Sequence, residues 1–301
     1  MFHNFLTLHY KVATNQYATG PKDVYTIFTT TMMIALLSYT FNHVFHLINR
    51  QSTSFLSQRR RSNVTHNYFF FLFYLFISMY QLCHLKAEPW MWYPTLAMKI
   101  PWTENDQAFV KISAIIHNAF YIYGLLYLLL CKRHQEEAGY IAMAIHHFAT
   151  IFLIFASLFW ADQTRIGVLI QFCHNIADIF LNLAKALHHA GKHSSAESSF
   201  LIFAFCFLFT RIFWFGYILY SVFGPAACER MTPHYYRRNL FYASPLLILY
   251  VLHFLWLIRI SKLVRSYFSG GNLSLQLSQI QEKDATQPIQ KRSSTVKKKV
   301  S

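Results

Sequence analysis

Runs of about twenty apolar residues recur along the chain, separated by short polar stretches, and each is long enough to cross a bilayer as a helix. Seven such spans are predicted, at 24–48, 67–85, 109–130, 139–160, 166–185, 199–223 and 240–260. The alternation of period 2 that marks a transmembrane barrel is absent. The fold class is therefore an all-α polytopic membrane protein. The first span is the most diluted, by Thr29, Thr30, Thr31, Asn42, His43 and His46. The fourth carries adjacent histidines, His146 and His147, with Thr150 one turn on. The fifth carries Gln171, His174, Asn175, Asp178 and Asn182, at intervals that place them on one helical face. Polar turn residues, Ala161 to Arg165, join the two spans. A polar stripe is costly in lipid, so it is expected to face a protein interior or a wet cavity. Gluing of helices to one another is the structural alternative.

Composition supports the same class. Hydrophobic residues are 54% of 301 and charged residues 13%, with a mean hydropathy of +0.27, too apolar for a soluble domain of this size. The net charge of +15 does not mark a nucleic-acid partner, because Lys and Arg lie between the spans and in the tail. One set of loops together with the tail holds 17 of them and the opposite set 8. The positive-inside rule then puts the C-terminus in the cytosol and residues 1–23 in a lumen. The extreme N-terminus lacks a signal-peptide apolar core, so the span 24–48 is expected to act as an uncleaved anchor. Trp90, Trp92, Tyr93 and Trp102 with three prolines predict an irregular loop at the membrane interface between the second and third spans. Residues 266–301 form a basic, disordered tail, and Lys298-Lys299 near its end resembles a dilysine retrieval signal of the endoplasmic reticulum. The five cysteines show neither a disulfide framework nor metal-site spacing.

Counting residues from the predicted cytosolic ends places His146 and Asp178 at one depth, about 10 Å in, and His174 and Arg211 a little deeper. A polar layer nearer the cytosol suits a water-borne polar substrate meeting a lipid one. Imidazole can act there as general base or as an acyl-accepting nucleophile, with a carboxylate to orient it.

These residues resemble the signature of the ceramide synthases, members of the TLC-domain family. His146-His147, Thr150, Arg165, Gly167, His174, Asp178, Ala184 and Lys185 match it, and Thr210-Arg211 echoes a further pair. The resemblance covers residues 66–265 and implies that the second to seventh spans form a bundle around a lipid cavity. It also implies transfer of an acyl group from fatty acyl-CoA, a co-substrate, to the amine of a sphingoid base, with no cofactor and no metal. His146, His147 and Asp178 would be catalytic, and Thr150, Gln171, His174, Asn175, Lys185 and Arg211 would bind substrate. An endoplasmic reticulum membrane follows from the resemblance too; membrane lipids are the surroundings, and a homo- or heterodimer is left open. The chain departs from the signature at Asn175, where the family has Asp, and at His66-Asn67, where it has Trp-Arg. One extra residue separates the His pair from Arg165.

Four further readings complete the sequence picture. Lys111 is expected to snorkel at the luminal end of the third span. Arg211 needs a partner, either Asp178 or an acidic group of substrate. Thr150 is placed to hydrogen-bond one ring of the His pair. A TLC-like lipid carrier or cargo adaptor without chemistry, and a seven-span receptor, share the topology; the receptor would need signature motifs that the third and last spans lack.

Overall fold

The computed structural model describes residues 21–49, 56–98, 104–130, 139–158, 161–224 and 233–269. Every regular element among them is helical. Seven helices are long and apolar enough to span a membrane: α1 (Pro21–Ile48), α2 (Gln58–Leu85), α3 (Glu104–Leu130), α4 (Tyr140–Ser157), α5 (Ala161–His189), α6 (His193–Phe223) and α7 (Pro233–Phe268). The protein is a multi-pass membrane protein.

In lipid a backbone amide has no water to turn to, so each helix must satisfy its own polar groups. The diluted first span shows how polar side chains comply. Thr26, Thr30 and Thr31 return their hydroxyls to carbonyls four residues back, at 2.6 to 2.8 Å, and Asn42 donates to Ser38 in the same way. These groups therefore present little polarity to their surroundings. Pro245, inside α7, cannot donate to the Phe241 carbonyl; the neighbouring Ser244 hydroxyl donates to it instead, at 3.2 Å.

Helices α2 to α7 close into a ring in the order α2, α5, α6, α7, α4, α3, and α1 lies outside it against α3 and α2. The starts of α2, α4 and α6 and the ends of α3, α5 and α7 all reach one cavity, so the ring is up-and-down. A tight connection from Ala190 to Lys192 enforces this between α5 and α6. One end of the bundle, here the basic end, gathers Lys185, His189 and Arg259 around the cavity.

The structure corrects several expectations. Ala161 to Arg165 are the first turns of α5, not a linker. Helices α2, α5, α6 and α7 run several residues past the predicted spans at the basic end, so residues 266–268, assigned to the tail, are helical. Lys111 does not snorkel. It is buried and meets Asp23 of α1 at 3.1 Å, because two opposite charges on facing helices neutralise each other more fully than either end group could alone. The aromatic loop before α3 forms two short 3-10 turns, Pro89–Met91 and Pro94–Met98. Trp92 and Tyr93 are exposed, but Trp90 is wholly buried. It donates to Glu88 at 2.8 Å and lies under Arg165. Arg165 in turn donates to the Ala97 carbonyl, so this arginine fastens the loop to α5. Residues 1–20 and 270–301, with the dilysine pair, lie outside the described residues, as do Trp102, Cys131 and Cys228.

Candidate functional site

Six helices line a cavity of about 440 Å³ that opens at the basic end. Its lining begins with Asn63, Asn182, Lys185, His189 and Arg259 and ends on His146, His147, Asp178 and Arg211, with Tyr121 and Trp256 between rings. A second, narrow pocket continues toward the opposite end. Its walls are Leu153, Ile154, Ile170, Phe223, Leu246 and Leu249, with Thr150, Gln171 and His174 at its polar edge. Tyr121 lines both spaces. A chamber that carries charged and polar groups among apolar walls is thus followed by a more apolar one, with His146 and His147 on the first and His174 on the second.

The His pair is placed by α4, a helix that is apolar elsewhere. Rings 100° apart on a helix cannot point alike, and they do not. His147 donates from Nδ1 to the Met143 carbonyl at 3.0 Å, which leaves its lone pair on Nε2. That atom packs where Gly124 of α3 has no side chain; a Cβ there would stand 3.1 Å away. His146 is buried, edge-on to Trp256 and stacked on His174 with centroids 6.3 Å apart. Its Nδ1 has no hydrogen-bond partner among the described residues. Thr150 bonds neither ring; its hydroxyl is without a partner there too. His147 is held by its own helix, four residues back, instead.

Asp178 does not orient an imidazole. Its carboxylate lies 2.6 Å from Arg211 Nη2, and the same nitrogen donates to the His174 carbonyl at 3.0 Å. The guanidinium also stands over the Phe207 ring. Arg211 sits in a π-helical stretch, Leu208–Trp214, that interrupts α6. Such stretches are rare and occur mostly as single-turn bulges within α-helices, often at functional sites. Tyr250 of α7 donates to Ile212 there, at 3.1 Å.

The α5 stripe divides between two faces. Asp178, Asn182 and Lys185 line the open cavity, and His174 and Gln171 border the apolar pocket. Asn175 lines neither. It is completely buried and donates to Gln81 of α2 at 2.9 Å and to His117 of α3 at 2.8 Å. His117 Nδ1 in turn meets the Ser113 carbonyl, so Asn175 ties three helices together. The departure from the family signature at this position therefore falls on an interhelical contact. His66, at the other departure, stacks on Tyr127 at the rim of the cavity.

Residues outside the sequence reading complete the site. His253 of α7 is wholly buried, with Nε2 3.2 Å from His174 Nε2. Tyr121 packs edge-on to both His146 and His147. A lone histidine in LYVLHFLW carries no pattern of its own. Among the described residues no group of three His, Cys, Asp or Glu is arranged to hold a metal ion.

A family model described as the TLC domain matches residues 63–262, and the chain belongs to that family. It is similar to ceramide synthase 4 of Homo sapiens, 26% identical over 223 residues that cover 72% of this chain and 54% of the relative. Ceramide synthase 3 of Homo sapiens is 30% identical over 200 residues, 62% of this chain and 47% of the relative. Ceramide synthase LOH2 of Arabidopsis thaliana is 25% identical over 189 residues, 62% of each. The chain spans about half the length of the mammalian relatives it matches.

Proposed function

We propose that this protein is a ceramide synthase of the endoplasmic reticulum membrane, transferring an acyl group from fatty acyl-CoA to the amine of a sphingoid base. One observation carries the reading: His146 lines a cavity with a basic mouth and stacks on His174, which borders an apolar pocket beyond it. An acyl-CoA has that polarity along its length. Its phosphates fit the mouth at Lys185 and Arg259, its thioester reaches His146, and its hydrocarbon chain continues past Tyr121. The names of the relatives agree with this chemistry.

In the reaction the amine nitrogen bonds to the acyl carbon, the carbon–sulfur bond breaks, and the proton lost from the amine ends on the CoA thiol. A neutral imidazole can carry that proton or hold the acyl group in between. His146 suits the role because its ring is not tied to its own helix. His147 closes the site beside it, and Asp178 holds Arg211 against the cavity wall.

The test is N-acylation of sphinganine by purified protein with a panel of acyl-CoAs, read as ceramide and free CoA. Wild type should turn over, and His146→Ala should lose ~10²-fold or more. Membrane insertion should be intact, since removing a polar group from a span eases insertion. Wild-type rates in a His146→Ala/His147→Ala double variant would end the catalytic reading. No turnover by wild type with any acyl-CoA would favour a lipid carrier.

A further inference from the structure

His253 is the one imidazole of the cluster on α7, and its surroundings explain both its position and its proton. His174 Nδ1 lies 2.6 Å from the Ile170 carbonyl. A carbonyl only accepts, so this nitrogen carries a hydrogen, and in the neutral ring the lone pair falls on Nε2. His253 Nε2 is 3.2 Å from that atom and must therefore be the donor. Burial is complete around His253, with Phe207, Phe215 and Trp256 against its ring. The contact is thus the hydrogen bond that satisfies Nε2 inside α7, while Nδ1 is buried without a partner among the described residues.

We propose that His253 is a positioning residue of this site: its Nε2–H occupies the single lone pair of His174 and so leaves the His146–His147 pair, which lines the cavity, to face substrate. The inference rests on the acyl-transfer reading for its consequence, though not for its geometry. His174 stacks on His146 and receives Arg211 on its own carbonyl. With its lone pair occupied, His174 is a fixed neutral surface. Freed, its Nε2 would present another lone pair beside His146 and compete for the proton that His146 must handle.

The test compares wild type, His253→Gln and His253→Phe in nanodiscs. Glutamine can place an amide N–H where His253 Nε2 stands, whereas phenylalanine keeps the ring and loses the donor. Diethyl pyrocarbonate, which carbethoxylates an unoccupied imidazole lone pair, is followed by peptide mass spectrometry. Expected is labelling at His146 and His147 with His174 protected in wild type and His253→Gln, and labelling of His174 in His253→Phe. With sphinganine and palmitoyl-CoA, kcat of His253→Phe should fall about 10-fold or more while KM for acyl-CoA stays near wild type, the pattern of an interaction felt only in the transition state. His253→Gln should recover most of the loss. Protection of His174 in His253→Phe together with wild-type kcat would overturn the proposal, as would equal loss in the Gln and Phe variants. If His253→Phe labels at buried His117, its fold is lost, and His174 labelling in wild type or His253→Gln decides against the assignment. An inactive wild type would remove the acyl-transfer reading, while the labelling pattern would still decide the hydrogen bond.

Discussion

A guanidinium in the middle of an apolar helix is costly without a partner. Arg211 has one in Asp178, at 2.6 Å, and a second in the His174 carbonyl. Removing one member of a buried pair strands the other, at about 3–5 kcal/mol. Asp178→Asn should therefore lower the thermal midpoint in detergent micelles, and any lost activity would be hard to attribute. Adding Arg211→Met to Asp178→Asn removes both charges and should recover most of that stability. N-acylation by the stable double variant then separates structure from chemistry: activity within a few-fold of wild type would show that the pair only builds the cavity wall. A double variant no more stable than Asp178→Asn would mean that the two groups do not stabilise each other. Asn175 carries a related lesson. Its spacing puts it beside His174, yet one residue is 100° on a helix, enough to turn it from the cavity to Gln81 and His117.

At the scale of the element, the π-helical stretch of α6 aims Arg211 at α5. The Ile212 carbonyl of the same stretch accepts from both the Phe215 N–H and Tyr250, whose hydroxyl has room only because residue 216 is glycine; a Cβ there would lie 2.5 Å from it. Tyr250→Phe should cost about 0.5–1.5 kcal/mol, the net worth of one hydrogen bond, since the Ile212 carbonyl keeps the Phe215 N–H. Gly216→Ala should be more damaging in wild type than in a Tyr250→Phe background, since part of its penalty is the clash with the hydroxyl. Scanning fluorimetry on the four proteins of this cycle gives the coupling directly. Additive losses would show that the glycine and the tyrosine do not share a constraint.

For the whole molecule, the ring of α2 to α7 puts its basic residues at the mouth of the cavity. If the excess of Lys and Arg on the same side of the chain sets the topology, the positive-inside rule turns that mouth toward the cytosol. The expected outcome is that protease added to intact microsomes removes a C-terminal tag. Protection of the tag would place the mouth in the lumen, away from cytosolic acyl-CoA. Helix α1 stays outside the ring but is bound to it by Lys111–Asp23 and by the Tyr123 hydroxyl on Ser38, at 2.6 Å.

The seven spans, their all-helical class and the polar face of α5 were legible in the sequence, because length, hydropathy and 3.6-residue periodicity are local properties that lipid enforces on each helix separately. His146, His147, Asp178 and Arg211 stood out for the same reason: polar groups in apolar runs are conspicuous. Which partner each would take was decided only by the tertiary structure. Arg211 meets Asp178, Asn175 meets His117 and His253 meets His174 across different helices, and no local pattern specifies the rotation of one helix against another. The helix ends also depended on packing, since the starts and ends beyond the apolar runs are held by contacts at the basic end. His253 was invisible along the chain, because a single histidine has no periodicity and gains its meaning only from the ring facing it.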